Sequence, residues 1–258
     1  MNSTATAETD HILVTEGLSK SFGGLKAVAD VDLKVRRNSI HALIGPNGAG
    51  KTTFFNLLTK FHAPTAGRIL YDGQDITQMS TAGIARLGIV RSFQISAVFP
   101  SMTALENVRI ALQRRLHGAS FDFWRSSKAL RALEAEAEQL LDQVGLGAFP
   151  DARAGDLPYG RKRALEIATT LALDPRLLLL DEPMAGMGQE DIIRTSALIR
   201  EVARSRTVLM VEHNLSVVAD LSDTITVLTR GRVLAEGDYE TIARNPDVVE
   251  AYIGVPHE

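Results

Sequence analysis

The sequence predicts an α/β fold: a largely parallel sheet covered by helices, with an antiparallel β edge at the start of the chain and a helical lobe inserted in a single domain. Three observations carry that prediction. The runs His41-Ala42-Leu43-Ile44 and Leu177-Leu178-Leu179-Leu180 are short and apolar, the pattern of strands buried within a parallel sheet. Strand and helix patterns alternate through the C-terminal part of the chain. Between these parts, Thr103 to about Val144 reads as helix without any strand pattern.

In chain order, Ile12 to Leu18 and Val28 to Val35 read as strands joined through the turn Gly23-Gly24, which gives the antiparallel edge. A helix over Thr53 to Lys60 is followed by a Pro64/Gly67 turn, a strand Arg68 to Tyr71 and the turn Asp72-Gly73. Gly88 to Arg91 reads as a strand leading into Ser92-Phe93-Gln94. In the helical stretch, Ala, Leu, Glu and Arg prevail over Lys128 to Gln143, with leucines at 130, 133, 140 and 141. The piece His117 to Ser127 interrupts it with Gly118, Phe121, Phe123 and Trp124, read as local core in preference to a partner-binding surface. Pro158 and Gly160 precede a helix, Arg161 to Leu173, that stops at Asp174-Pro175. Strands at Thr207 to Val211 and Ile225 to Leu228 then alternate with helices Asp191 to Ser205 and Leu215 to Leu221. The expected division is a core from 1–94 and 157–245, a helical lobe from about 95–156 together with the helix after Pro158, and a C-terminal tail over 246–258.

Composition narrows the function classes. At 258 residues, 45% hydrophobic and 23% charged, the chain can bury a substantial core. A net charge of -3 without a dense Lys/Arg block argues against a nucleic-acid surface, and Arg161-Lys162-Arg163 reads as a solvated first helical turn. Zero cysteines excludes disulfides and thiolate metal sites. No apolar run approaches the roughly 18 residues of a membrane-spanning helix, and the polar start lacks a signal-peptide core. The expectation is a cytoplasmic protein whose membrane role, if any, runs through a partner.

The chemistry centres on Gly45-Pro46-Asn47-Gly48-Ala49-Gly50-Lys51-Thr52-Thr53, a G-x-x-x-x-G-K-[ST] phosphate loop set between a strand and a helix. Its glycines let consecutive N–H groups turn inward on phosphates, and the helix start adds a partial positive charge. Lys51 supplies a full charge, and the Thr52 hydroxyl is placed for magnesium. Asp181 and Glu182 follow the leucine strand at its carboxyl end, where ligands of open α/β sheets bind. They read as a magnesium carboxylate and a general base for the water that attacks the γ-phosphate. His213 ends the next strand and brings an imidazole towards that phosphate. Gln94, after another strand, offers an amide oxygen to metal or water. Phe22 offers a flat face for adenine, although a lone aromatic is more often core.

In order along nearly the whole chain, these features resemble the ATP-binding subunits of ABC transporters. The resemblance implies an ABC-type P-loop NTPase that binds ATP and Mg2+. It makes Phe22 the adenine-stacking aromatic, Gly45 to Thr53 Walker A, Gln94 the Q-loop, Leu157-Pro158-Tyr159-Gly160-Arg161 the signature, Leu177 to Glu182 Walker B and His213 the switch histidine. It also implies head-to-tail pairing with a second ATPase subunit, each ATP lying between one Walker A and the other signature. Pro158 departs from the family's usual serine, leaving the backbone N–H groups of Tyr159, Gly160 and Arg161 as donors, with Gly160 leaving room for a phosphate. Gly188 stands where the family carries an aspartate that contacts across the dimer.

Within the family, Leu157 to Ala168, Ala185-Gly186-Met187, Val211-Glu212-His213-Asn214-Leu215 and Ala251-Tyr252-Ile253-Gly254 resemble the branched-chain amino acid importer branch. That implies permease subunits and, through them, a periplasmic solute-binding protein, with the motor held at the inner face of the membrane. Two other classes share these motifs: the motor of a lipid or lipopolysaccharide exporter, and a soluble non-transport ABC ATPase. The latter usually carries two cassettes or a long coiled coil, and this chain has one cassette and no such insertion.

Overall fold

A computed structural model describes residues 10–92, 98–116 and 127–253. The chain divides into two compact units: Met1–Ile89, Arg176–Glu182 and Ile199–Glu258 form the first, and Val90–Pro175 with Pro183–Leu198 the second. Its elements begin with β1 (His11–Phe22), β2 (Leu25–Arg36), β3 (Ile40–Ile44), α1 (Lys51–Leu58), β4 (Ala66–Tyr71), β5 (Gln74–Asp75), α2 (Thr81–Arg86) and β6 (Ile89–Arg91). Helices α3 (Ala104–Leu116), α4 (Ser127–Gln143) and α5 (Tyr159–Leu171) come next. The chain ends through β7 (Leu177–Asp181), α6 (Gln189–Ala203), β8 (Thr207–Val211), α7 (Leu215–Leu221), β9 (Thr224–Thr229), β10 (Arg232–Gly237), α8 (Tyr239–Arg244) and α9 (Pro246–Ile253).

In the first unit the expected antiparallel edge is a separate four-stranded sheet of order β2-β1-β4-β5. Its opening hairpin turns at Gly23 and Gly24, both with positive φ. The second sheet has the order β10-β9-β3-β8-β7-β6. Every residue of β3, β7 and β8 is buried, which explains why their sequences lack a polar face. Phe54, Phe55, Leu57 and Leu58 of α1 pack into the core that both sheets share, each such side chain contributing roughly 1.5–3 kcal/mol.

Parallel pairing fixes where the site lies. Leu43 and Asp181 both pair with Val211, so the carboxyl ends of β3, β7 and β8 reach the same sheet edge. The loop at 45–50, Glu182 and His213 therefore leave the sheet side by side. Within this sheet a polar chain runs from the buried His41 and Thr226 to the exposed Glu236. Thr226 donates to Glu236 Oε2 at 2.6 Å, so His41 Nε2 carries the hydrogen that binds Thr226 Oγ1 at 2.7 Å. Burial pushes the His41 imidazole down to about 4, which keeps it neutral.

Among its described residues the second unit carries helices α3, α4, α5 and part of α6, with the end of β6 and an isolated antiparallel bridge between Thr103 and Arg153. A capping box opens α3: Glu106 N–H donates to Thr103 Oγ1 at 3.1 Å and Thr103 N–H to Glu106 Oε2 at 2.9 Å. Ala104, Val108 and Leu112 then recur along one buried face, as Leu133, Ala137, Leu140 and Leu141 do on α4. The aromatic interruption at Phe121, Phe123 and Trp124 lies outside the described residues. The C-terminal tail is helical over Pro246–Ile253, with Val248 buried, and α8 before it buries Ile242.

Candidate active site

The phosphate loop is shaped by the strands around it. Gly45, Gly48 and Gly50 have φ of 149, 77 and 102°. A Cβ on Gly45 would sit 2.1 Å from Leu228 O, and one on Gly50 would sit 2.4 Å from Ala27 O. Backbone that close leaves no room for a side chain. Gly50 caps α1 without a side-chain hydrogen bond, so the helix meets the loop with its first N–H groups facing outward. Lys51 is buried, with Nζ donating to Gly45 O at 2.6 Å and Pro46 O at 3.0 Å. Burial lowers its pKa, while the charges of Glu182 and then Asp181 pull it back up. Thr52 faces solvent next to it.

Asp181 ends β7, almost fully buried. Glu182 follows with φ of +49°, a left-handed conformation rare for a glutamate. Its N–H donates to Val211 O at 2.9 Å, and Oε1 lies 2.8 Å from His213 Nε2. The histidine is held by two residues that sequence reasoning passed over. Glu212 Oε2 accepts from the N–H groups of His213 at 3.0 Å and Asn214 at 3.3 Å. Asn214 Oδ1 caps α7 by accepting from Ser216 N at 3.1 Å and Val217 N at 3.3 Å. An asparagine one position before a helical pattern was the available signal for the second of these.

Phe22, 43% exposed, stands edge-on to His62 with ring centroids 5.2 Å apart, and Lys20 Nζ lies 5.0 Å from its centre. Gln94 lies outside the described residues.

The segment Leu157 to Arg161 belongs to the second unit. Leu157 is buried, Pro158 caps α5 without a side-chain bond, and Tyr159 is 53% exposed against Gly186. One expectation about this segment gains a rival ground and another is corrected. A Cβ on Gly160 would sit 2.3 Å from the Asp191 carboxylate, so space is already limited within the chain, with no phosphate involved. Nor is Arg161-Lys162-Arg163 a solvated turn. The Arg161 guanidinium lies 3.9 Å over the Phe149 ring, Lys162 Nζ donates to Gly155 O at 2.7 Å, and Arg163 is buried. Arg163, Glu166, Ile167 and Thr170 share one buried stripe at helical spacing, a pattern legible in the sequence once charge is set aside.

A loop of backbone N–H groups at a helix start, a buried ammonium, and a carboxylate paired with an imidazole form a phosphoanhydride-cleaving arrangement. Residues 28–185 match the sequence model of the family described as "ABC transporter". The chain belongs to that family. As an ABC cassette it binds ATP and hydrolyses it, and the hydrolysis is coupled to transport. Residues 232–258 also match a family described as "Branched-chain amino acid ATP-binding cassette transporter". The cassette is 43% identical to the high-affinity branched-chain amino acid transport ATP-binding protein BraF of Pseudomonas aeruginosa, over 94% of this chain and 98% of that one. It is 39% identical to the corresponding protein LivG of Escherichia coli K12, with the same coverage. Among solved structures it resembles the ADP conformation of MJ1267, an ATP-binding cassette of an ABC transporter. That likeness has a TM-score of 0.83 and 30% identity, over 95% of this chain and 99% of that one. Among the described residues no helix is long and apolar enough to cross a membrane.

Proposed function

We propose that this cassette is the motor of an importer for branched-chain amino acids or related small polar solutes. In this reading it works at the inner face of the membrane, paired with a second ATPase subunit and docked on permease subunits that a periplasmic binding protein supplies. The cargo rests on the BraF and LivG likeness and on the C-terminal family match.

The observation that carries the hydrolytic reading is the Glu182–His213 contact at 2.8 Å, with Lys51 within electrostatic reach of Glu182. In the proposed reaction the loop N–H groups from Gly45 to Thr53 and the Lys51 ammonium hold the β- and γ-phosphates, and Phe22 stacks the adenine. Glu182 takes a proton from a water as its oxygen bonds to the γ-phosphorus and the bond to the ADP oxygen breaks. His213 keeps the Glu182 carboxylate aimed. Leu157 to Arg161 of the paired subunit would face the γ-phosphate through backbone N–H groups, the helix-start donors of α5. Thr52 and Asp181 are hard oxygen donors of the kind Mg2+ takes, and Gln94 would join them; the ion would neutralise charge on the β- and γ-oxygens.

Glu182→Gln tests the assignment. ATP binding should persist, hydrolysis should fall by about a hundredfold or more, and gel filtration with ATP and magnesium should show a trapped dimer. Turnover near the parental rate would overturn the base. Cargo is read by reconstituting the cassette with its permeases and binding protein: leucine, isoleucine or valine should stimulate ATP hydrolysis, and no stimulation by these would remove the cargo assignment alone.

A further inference from the structure

We propose that Arg163 is a positioning residue for hydrolysis: its guanidinium, neutralised by Glu166, holds the Pro183 carbonyl and so fixes the backbone that aims Glu182. This rests on the reading of Glu182 as the base.

The pair lies inside the second unit. Arg163 and Glu166 are 6% and 5% exposed, and Arg163 Nη1 donates to Glu166 Oε2 at 2.5 Å. The same guanidinium donates through Nε to Pro183 O at 3.4 Å. A buried ion pair repays its desolvation poorly as a stabilising device, and two apolar residues of similar volume often serve a fold as well. What an apolar pair lacks is direction. A planar guanidinium bonded to a carboxylate on one side and a carbonyl on the other fixes that carbonyl relative to its helix, which a point-charge ammonium does less well.

The carbonyl it fixes comes just after a strained residue. Glu182 has φ of +49°, and a following proline restricts its backbone further. Such conformations persist where the surroundings over-determine them. On its N-terminal side Glu182 is held by its own N–H bond to Val211 O at 2.9 Å. Downstream, Pro183 has no N–H to anchor. Its carbonyl is the first hydrogen-bonding group beyond the Glu182 peptide, and Arg163 takes it. Arg163 of α5 thereby holds the chain one residue past the base.

The test uses the full chain with ATP and magnesium. Arg163→Lys keeps a positive charge for Glu166 and loses the fork. It should fold, bind ATP with unchanged affinity and KM, and lose at least tenfold in kcat. Arg163→Met combined with Glu166→Leu removes both charges, so that folding does not depend on an unpaired one; it should show the same split. A folded variant of either kind with kcat within twofold of parental overturns the proposal. So does a loss shared in proportion by thermal stability, ATP affinity and kcat, which marks a pair that only supports the fold. Glu182→Gln measured alongside separates the two readings. If it abolishes hydrolysis while the Arg163 variants turn over normally, only the positioning role fails; if it hydrolyses normally, the base fails and the positioning role with it.

Discussion

At Gly45 and Gly50 a methyl group would strike the backbone carbonyls of Leu228 and Ala27, whereas at Gly160 it would strike only the end of the Asp191 side chain. The first two positions are framed by strands whose own hydrogen bonds prevent retreat. The third is framed by a half-buried carboxylate at the start of α6, which can rotate away. The three glycines thus stand on different physical footings, two fixed by the strands around them and one adjustable.

Gly50→Ala should separate them most strongly. The backbone strain alone is on the order of 1–3 kcal/mol, and the clash with Ala27 O adds to it. The expected outcome is a lowered melting temperature and loss of nucleotide binding, read by calorimetry and by titration with a fluorescent ATP analogue; a variant with parental melting and affinity would break the comparison.

Acid probes the same frame without mutation, because His41 lies in the strand that carries the loop. Its pKa is about 4 in the folded chain against 6.5 for the ordinary imidazole. Between those values the unfolded chain binds the proton and the folded chain does not, so stability falls as pH drops from 6.5 towards 4. The loss approaches roughly 3 kcal/mol at the lower end. Denaturant titrations across this window should show the slope, and His41→Asn should flatten it.

Gly160→Ala should do less, since alanine favours a helix by about 1 kcal/mol over glycine and Asp191 can move. Folding should be near parental. Any loss of phosphate release should be restored to within a few fold by adding Asp191→Ala. A loss that the second change does not repair would return Gly160 to the role of making room for a phosphate. Gly160→Asp cannot decide this, because it sets two carboxylates together inside one chain.

What the sequence reveals tracks how one-sided its local signals are. Strands β3, β7 and β8 are legible because burial on both faces leaves them mostly apolar, with one polar residue each, His41, Asp181 and Thr207, so no polar face competes for the period. Strand β10 and helices α2 and α8 go unread: they are short and mostly half-exposed, so their patterns carry little hydrophobic contrast. The phosphate loop is legible as a motif because its backbone geometry demands glycine. Arg163 is not, because a charged residue in a basic triplet reads as surface until its partner one turn on is known. Glu212 shows the same limit. Its work is a turn built from backbone N–H groups, and nothing in residue type announces that.

The left-handed backbone at Glu182 has a consequence for the history of such chains. Asparagine tolerates that conformation better than glutamate does, so Glu182→Asn should melt a few degrees higher while hydrolysing far less ATP, a gain of up to about 1 kcal/mol. With Glu182 as the proposed base, a demand for turnover would keep the less comfortable side chain there. In a lineage released from that demand, mutation would drift position 182 towards asparagine or glycine. The residue found at this one site would then record whether a cassette still runs as an engine or survives only as a scaffold.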